Sequence, residues 1–598
     1  MKNTIAKYWK LLLSLLFAIA VFLFWMHPYA FVLSYQEQYQ LFLFDENYFL
    51  ERMSLPGGFV DYLAEFLTQF YFLYVVGAAI LAILFLLFQR ATWQLFHKFG
   101  AKEESYPLSF IPAILLWFYM GDENVMLSFL LSLILAEYFA MLYIAIADAC
   151  KGWIGKAACV IVGLPLLYWL IGANVEVAAA LILLYELKSK KHPIVGLAAP
   201  LVVVAVVLIG AQFQQYPLYR LFGGINYYRY PAYVPYMQIG VMAVPSILPL
   251  IISMLPDTKN KFIVPCEVLF LTVGGFFFVK AGFDPLKYDI IEYDALVRSN
   301  SWDKIIEKAE KNQPQTPLEV SCVNLALSQK GQLCDRIFEF YQNGGEGLFP
   351  TFTRDMVSPV STAEVFFNLG MVNDAERYMF EAQEAIPNFR KSGRLTMRII
   401  QCEIVNGQYA VARKYLKKLQ KSLFYRKWAE EQMNYINQPK LIASDPLYAK
   451  LRKYRYTKDI LFSDREMDQI LGLLFIHCNE NRNAFEYLMA YEMLQRDMEK
   501  FMKYYPIGKF AGYTDHIPYA LQQALLYSWT QTHNSLQGMP WSIDSQWAND
   551  MVTFIQTYMR NKEDETLKTG PLSKTFWSYM LINKDSGKKT DRSMKQIY

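Results

Sequence analysis

The sequence is short of the residues that mark most kinds of chemistry. Its seven cysteines include no C-x-x-C pair and none has a histidine cluster beside it, so zinc and iron–sulfur spacings are missing. The six histidines are scattered. Glycine-rich phosphate loops, G-x-S-x-G elbows and H-E-x-x-H helices are absent, which removes the corresponding nucleotide-binding, hydrolase and metalloprotease classes. No basic block accompanies the net charge of +4, which argues against a nucleic-acid partner. Charge itself is scarce: 19% of residues are charged, against about 25% in an average soluble protein. The deficit is uneven. Residues 11–283 contain long uncharged runs, whereas residues 284–598 carry charge at ordinary density.

Hydrophobic residues make up 54% of the chain, and those uncharged runs are long enough for helices that cross a bilayer core of about 30 Å. Candidate spans are 11–33, 66–89, 107–120, 124–148, 157–172, 174–187, 194–213, 232–255 and 262–283, about nine crossings. The segments 157–172 and 174–187 read either as two crossings or as a re-entrant pair. Prolines 112, 165, 200, 245 and 249 should kink their helices. Lys2, Lys7 and Lys10 before the first run resemble a signal peptide. However, Trp25, His27 and Pro28 stand where small residues would precede cleavage, so an uncleaved first span is expected.

With the N-terminus inside, the inner segments hold 13 Lys and Arg; the outer loops hold 3, or 6 when Lys280, Lys287 and Arg298 are counted. That asymmetry predicts a cytoplasmic N-terminus and, with an odd number of crossings, a C-terminal half outside the cytoplasm. The fold class expected is all-α: a transmembrane helical bundle over 1–283, then a soluble α-solenoid like tetratricopeptide repeats over 284–500. A helical extension over 501–582 and a disordered basic tail over 583–598 follow. The repeat signal is Gly370 with Ala375 and Tyr378 against Gly407 with Ala412 and Tyr415, and again Ala484 matching Ala410. Cysteines 322, 334, 402 and 478 fall in this half, as small buried hydrophobes or, for Cys322 and Cys334, as a bridge.

Carboxylates are the main candidates for chemistry. Two Asp-Glu pairs, Asp45-Glu46 and Asp122-Glu123, fall in loops assigned to the same outer face, where they could act as catalytic bases or hold a divalent cation. The plainer readings are ordinary acidic loops and, for Asp122 and Glu123, charge at a helix N-terminus. Glu137 sits in mid-span, where a carboxylate is costly; it either serves a function or is hydrogen-bonded within the bundle. Arg220 and Arg229, in the aromatic loop 212–233, could hold a lipid phosphate or simply anchor the interface.

Two resemblances follow. The run Leu43–Phe49 with Pro56-Gly57-Gly58, the segment Phe66–Phe70, and the stretches Asn406–Leu416 and Leu423–Trp428 resemble an uncharacterised family of multi-spanning membrane proteins from Bacteroidota. That resemblance implies a Gram-negative inner membrane and a periplasmic C-terminal domain, and carries no catalytic residues. In arrangement alone, the acidic outer loops and the extracytoplasmic repeat domain resemble C-type glycosyltransferases, which use polyprenyl-phosphate-linked sugars. The functions expected are therefore a membrane-anchored scaffold, whose repeat domain binds a protein or glycan, or a lipid-linked glycosyltransferase. A transporter, resting on Glu137 and the broken helices, is the third option. The lipid bilayer is the partner common to all three.

Overall fold

The computed structural model describes residues 2–149, 153–229, 236–256, 262–458, 462–513 and 516–582. The expected tail 583–598, Cys150 and the inner-loop lysines 151, 259 and 261 lie outside these residues. Within them the chain is helical, with turns and 3-10 segments and one isolated bridge, Val125 to Tyr228. It divides into two compact units. The first comprises Met1–Tyr288 together with Pro387–Gly393 and Lys418–Lys427; the second comprises Asp289–Ile386, Arg394–Lys417 and Trp428–Tyr598.

In the first unit, 7 apolar helical stretches among the described residues are long enough to cross a membrane, starting at Tyr8, Tyr74, Leu127, Trp153, Pro193, Tyr236 and Ile263, the one from Trp153 being broken at Gly172. Their bounds differ from the sequence expectation for local reasons. The first ends at Met26, because Pro28 can donate no hydrogen bond to continue it, and a separate helix, Ala30–Gln38, follows. The expected span 66–89 is displaced to Tyr74–Lys98, and an amphipathic helix, Gly58–Thr68, precedes it. The expected span 107–120 is made of two pieces, a 3-10 stretch Glu103–Phe110 and a nine-residue helix Ile111–Tyr119. Pro112 occupies the first turn of that helix, where an amide proton is not needed. Prolines 200, 245 and 249 do lie inside helices.

The apolar stretch 153–189 doubles back on itself. The Lys156 Nζ and Glu186 Oε1 atoms are 3.0 Å apart, whereas thirty residues of continuous helix would separate them by about 45 Å. The reversal occurs at Gly172, whose φ of +73° suits glycine. The Asn174 amide beside it donates to the Tyr227 hydroxyl at 3.0 Å, and Tyr227 in turn donates to the Ile171 carbonyl. The arms Leu164–Ile171 and Val175–Ser189 therefore run antiparallel, both ends of the hairpin lying on one side.

In the second unit some neighbouring helices pack in pairs, Trp302–Lys311 with Pro317–Gln329, Ser358–Leu369 with Val372–Ala385, and Met467–His477 with Arg482–Gln495. Ser358–Leu369 and Val372–Ala385 turn at Gly370, and φ is likewise positive at Gly331 and Gly407. Ala375 and Ala412, at equal offsets after Gly370 and Gly407, are fully buried; Ala484 is buried too, but Ala410, its expected counterpart, is exposed. Asn481 caps the helix Arg482–Gln495 and donates through Nδ2 to the Leu369 carbonyl at 2.8 Å, tying that helix to the turn at Gly370. Cysteines 322, 334, 402 and 478 are free and buried.

Candidate functional site

The loop between the helices Ile111–Tyr119 and Leu127–Ala149 is pinned on every side. Gly121 lets it lie close to the chain at Gly282, since a Cβ there would come within 2.6 Å of the Gly282 carbonyl oxygen. Tyr29 donates to the Gly121 carbonyl at 2.9 Å. Gln36 Nε2 reaches the carbonyls of Glu123 and Val125 at 3.2 and 3.0 Å. On the other edge the Arg229 amide donates to Asn124 and the Met126 amide to Tyr227, which forms the isolated bridge.

This frame fixes both carboxylates. Asp122 accepts the Asn124 amide at 2.9 Å and the Tyr228 hydroxyl at 2.6 Å. Glu123 Oε1 accepts the Asn124 side-chain amide at 2.9 Å and lies 3.3 Å from the Lys287 ammonium. Burial, reinforced by the neighbouring Asp122 charge, pushes the Glu123 carboxyl up to about 7 despite the pull of Lys287. A carboxyl poised there can take up or release a proton near neutrality.

A family model for a family of unknown function, DUF6057, matches residues 6–583. The chain belongs to that family. No curated protein and no solved structure matches it.

The other Asp-Glu pair is used differently. Asp45 caps the helix Glu46–Met53, accepting the Tyr48 amide at 3.3 Å, and forms an ion pair with Lys421. The hydrogen bond from Lys421 holds its carboxyl below the ordinary range. Glu46 lies exposed in the first turn of the same helix. The two pairs share no hydrogen-bond or ion-pair partner among the described residues. Arg220 is also separate from Arg229. Arg220 donates to the Ile225 carbonyl at 2.8 Å, while the Arg229 guanidinium lies over the rings of Tyr35 and Tyr39 at 4.7 and 5.0 Å. Arg229 is only 2% exposed, and neither of its terminal nitrogens has a hydrogen bond among the described residues. Glu137 is fully buried and accepts the Thr92 hydroxyl on both oxygens, at 2.9 and 3.2 Å.

The densest cluster of charge escaped the sequence reading. Asp61 and Glu65 stand one turn apart on the helix Gly58–Thr68, on the face that meets Arg52 and Arg390. Arg52 Nε is 2.8 Å from one Glu65 oxygen, Arg390 Nε is 2.8 Å from the other, and Arg390 also pairs with Asp61. Tyr48 donates to Glu65 as well. Burial alone would raise Glu65, but Arg52 and Arg390 overcome it and hold the carboxyl low; burial raises Asp61 against the same two cations. Gly58 makes the approach feasible: a Cβ there would lie 1.9 Å from the Arg52 carbonyl oxygen. The signal available in the sequence was the i,i+4 spacing of Asp61 and Glu65 on an otherwise apolar helix face. Nothing local pointed to Arg390.

Proposed function

We propose that this protein is a membrane-anchored scaffold whose second unit binds a protein or glycan outside the cytoplasm. The observation that carries the reading is the pair of fully buried alanines at equal offsets after Gly370 and Gly407, Ala375 and Ala412. Small residues at such places let neighbouring pairs stack into a solenoid, and solenoid surfaces characteristically bind partners. The Lys and Arg asymmetry of the loops supports an inner-membrane protein with a cytoplasmic N-terminus. Two experiments test it. A reporter fused after Lys287 should read out as extracytoplasmic. Photo-crosslinking residues at the exposed positions Val411, Leu441 and Ile476 should give discrete adducts. A cytoplasmic reporter signal, or adducts no stronger than at a lipid-facing control such as Leu201, would sink the reading.

A second reading, a C-type glycosyltransferase-like enzyme, has one specific support: the buried Glu123 carboxyl, pushed up to about 7 beside Lys287. It calls for a polyprenyl-phosphate-linked sugar and, as cofactor, a divalent cation. If it holds, Glu123→Gln or Asp122→Asn abolishes complementation of a deletion strain. Asp45→Asn and Glu46→Gln then act only through stability. Full complementation by both Glu123→Gln and Asp122→Asn removes it.

A further inference from the structure

The first unit contains a large apolar groove, with a volume of about 840 Å³. Its walls are the first helix, through Leu16 and Ala20, the short helix Ile111–Tyr119 with the stretch before it, through Phe110 and Ile114, and the helix Ile263–Ala281, through Thr272. The walls meet through aromatic contacts. Phe17 lies 5.1 Å from Phe110, and Phe118 stacks on Phe278 at 4.4 Å. The groove closes at one end where Tyr29 meets Phe283 at 4.8 Å. Beside that end is Lys280, the one charged residue of the lining.

We propose that this groove holds one acyl chain of a diacyl phospholipid with an anionic headgroup, the headgroup resting on Lys280. Three observations favour that occupant. First, the wall residues belong mainly to helices long and apolar enough to lie in a bilayer, so hydrocarbon is what surrounds the opening. Second, the length fits. Along the last helix, the lining runs from Val268 to Lys280, about 18 Å of helix, close to the roughly 15 Å depth of one leaflet. An isoprenoid carrier much longer than one leaflet would leave most of its tail outside. Third, Lys280 is exposed and pairs with no carboxylate among the described residues. Its charge is therefore available to a phosphate at the level of the headgroups.

Moving an acyl chain from bulk lipid into an apolar groove gains little, because the bilayer is equally apolar. Selectivity must come from Lys280, and one lysine near a membrane surface supplies about a fivefold preference for an anionic lipid. Val279 is the one buried residue among those described in the helix Ile263–Ala281, so a lipid in the groove would fasten that helix to the bundle. This inference is independent of the scaffold reading.

The test uses the full-length protein in nanodiscs of equimolar phosphatidylglycerol and phosphatidylcholine, with native mass spectrometry of retained lipid and thermal melting as readouts. Wild type should retain one phosphatidylglycerol about fivefold over phosphatidylcholine and melt higher when it is present. Lys280→Gln should abolish the preference. Ala20→Trp, which fills the groove, should abolish retention; Thr272→Trp on the opposite wall gives the same test should the first variant fail to fold. Leu201→Trp, on another exposed apolar helix, should behave as wild type. Equal retention of both lipids, or unchanged retention in Ala20→Trp and Thr272→Trp, overturns the proposal. So does displacement of phosphatidylglycerol by an equimolar polyprenyl phosphate, which would make the occupant a lipid carrier.

Discussion

Arg390 and Glu65 are 325 residues apart in the chain and 2.8 Å apart in the fold. Both are buried, and the pair belongs to a set of two guanidiniums and two carboxylates in which each charge offsets another. Removing one member strands the rest in a low-dielectric site, which typically costs about 3–5 kcal/mol. Arg390→Met should therefore lower stability by that amount, and Glu65→Gln by a similar one. Melting of the purified protein checks this; a loss under about 1 kcal/mol would show that the cluster is solvated.

Two glycines should respond very differently to the same change. Gly58→Ala places a Cβ 1.9 Å from the Arg52 carbonyl oxygen and must move either the helix Gly58–Thr68 or Arg52. It should cost several kcal/mol, as other forced overpacking does (about 1–3 kcal/mol or more). Gly407→Ala meets open space and bears only the strain of its positive φ, about 1–2 kcal/mol. Equal melting temperatures for the two variants would contradict the close approach at Gly58.

The hairpin at Gly172 can be tested by crosslinking. In a background lacking the other cysteines, cysteines replacing Lys156 and Glu186 should be joined by a short bifunctional maleimide, because the tips of the wild-type side chains meet at 3.0 Å. A continuous helix, with about 45 Å between the positions, would give none.

Glu123 should also leave a mark on the pH dependence of stability. Its folded-state value of about 7 exceeds the unfolded one, so between about pH 4.5 and 7 the native state binds more protons than the unfolded state. Stability attributable to this group is then full below about pH 4.5 and falls as pH rises to 7, by no more than about 3 kcal/mol. Glu123→Gln should flatten that fall. Asp45 has the opposite sign: its lowered carboxyl contributes above the unfolded value and loses that contribution on acidification. A Glu123→Gln profile parallel to wild type would show that the carboxyl is not raised.

The apolar helices and the loop bearing Asp122 and Glu123 were legible in the sequence because both are written locally, as long uncharged runs and a polar break between them. Ala375 and Ala412 fall at equal offsets after a glycine and are both buried, whereas the match expected between Ala484 and Ala410 fails, because Ala484 is buried and Ala410 is exposed. Other features depend on residues that meet only in three dimensions. Pro56-Gly57-Gly58 reads as a turn, but the need for Gly58 comes from the Arg52 carbonyl. Lys156 reads as one more inner-loop charge, yet it is 1% exposed and spent on Glu186. The ends of helices were misplaced where a proline, such as Pro28, halts hydrogen bonding inside an unbroken apolar run.

The ion cluster of the first unit also sets a timetable. A ribosome adding about 5–20 residues per second needs roughly 16–65 s to go from Glu65 to Arg390, given the 325 residues between them. Throughout that interval Asp61 and Glu65 have Arg52, but not yet Arg390, as an ion-pair partner. The helix Gly58–Thr68 therefore has to wait, with those acids hydrated or protonated, before it can take its final seat. Insertion of the last apolar helix does not end the folding of this unit: Arg390, and after it the segment Lys418–Lys427, must still arrive.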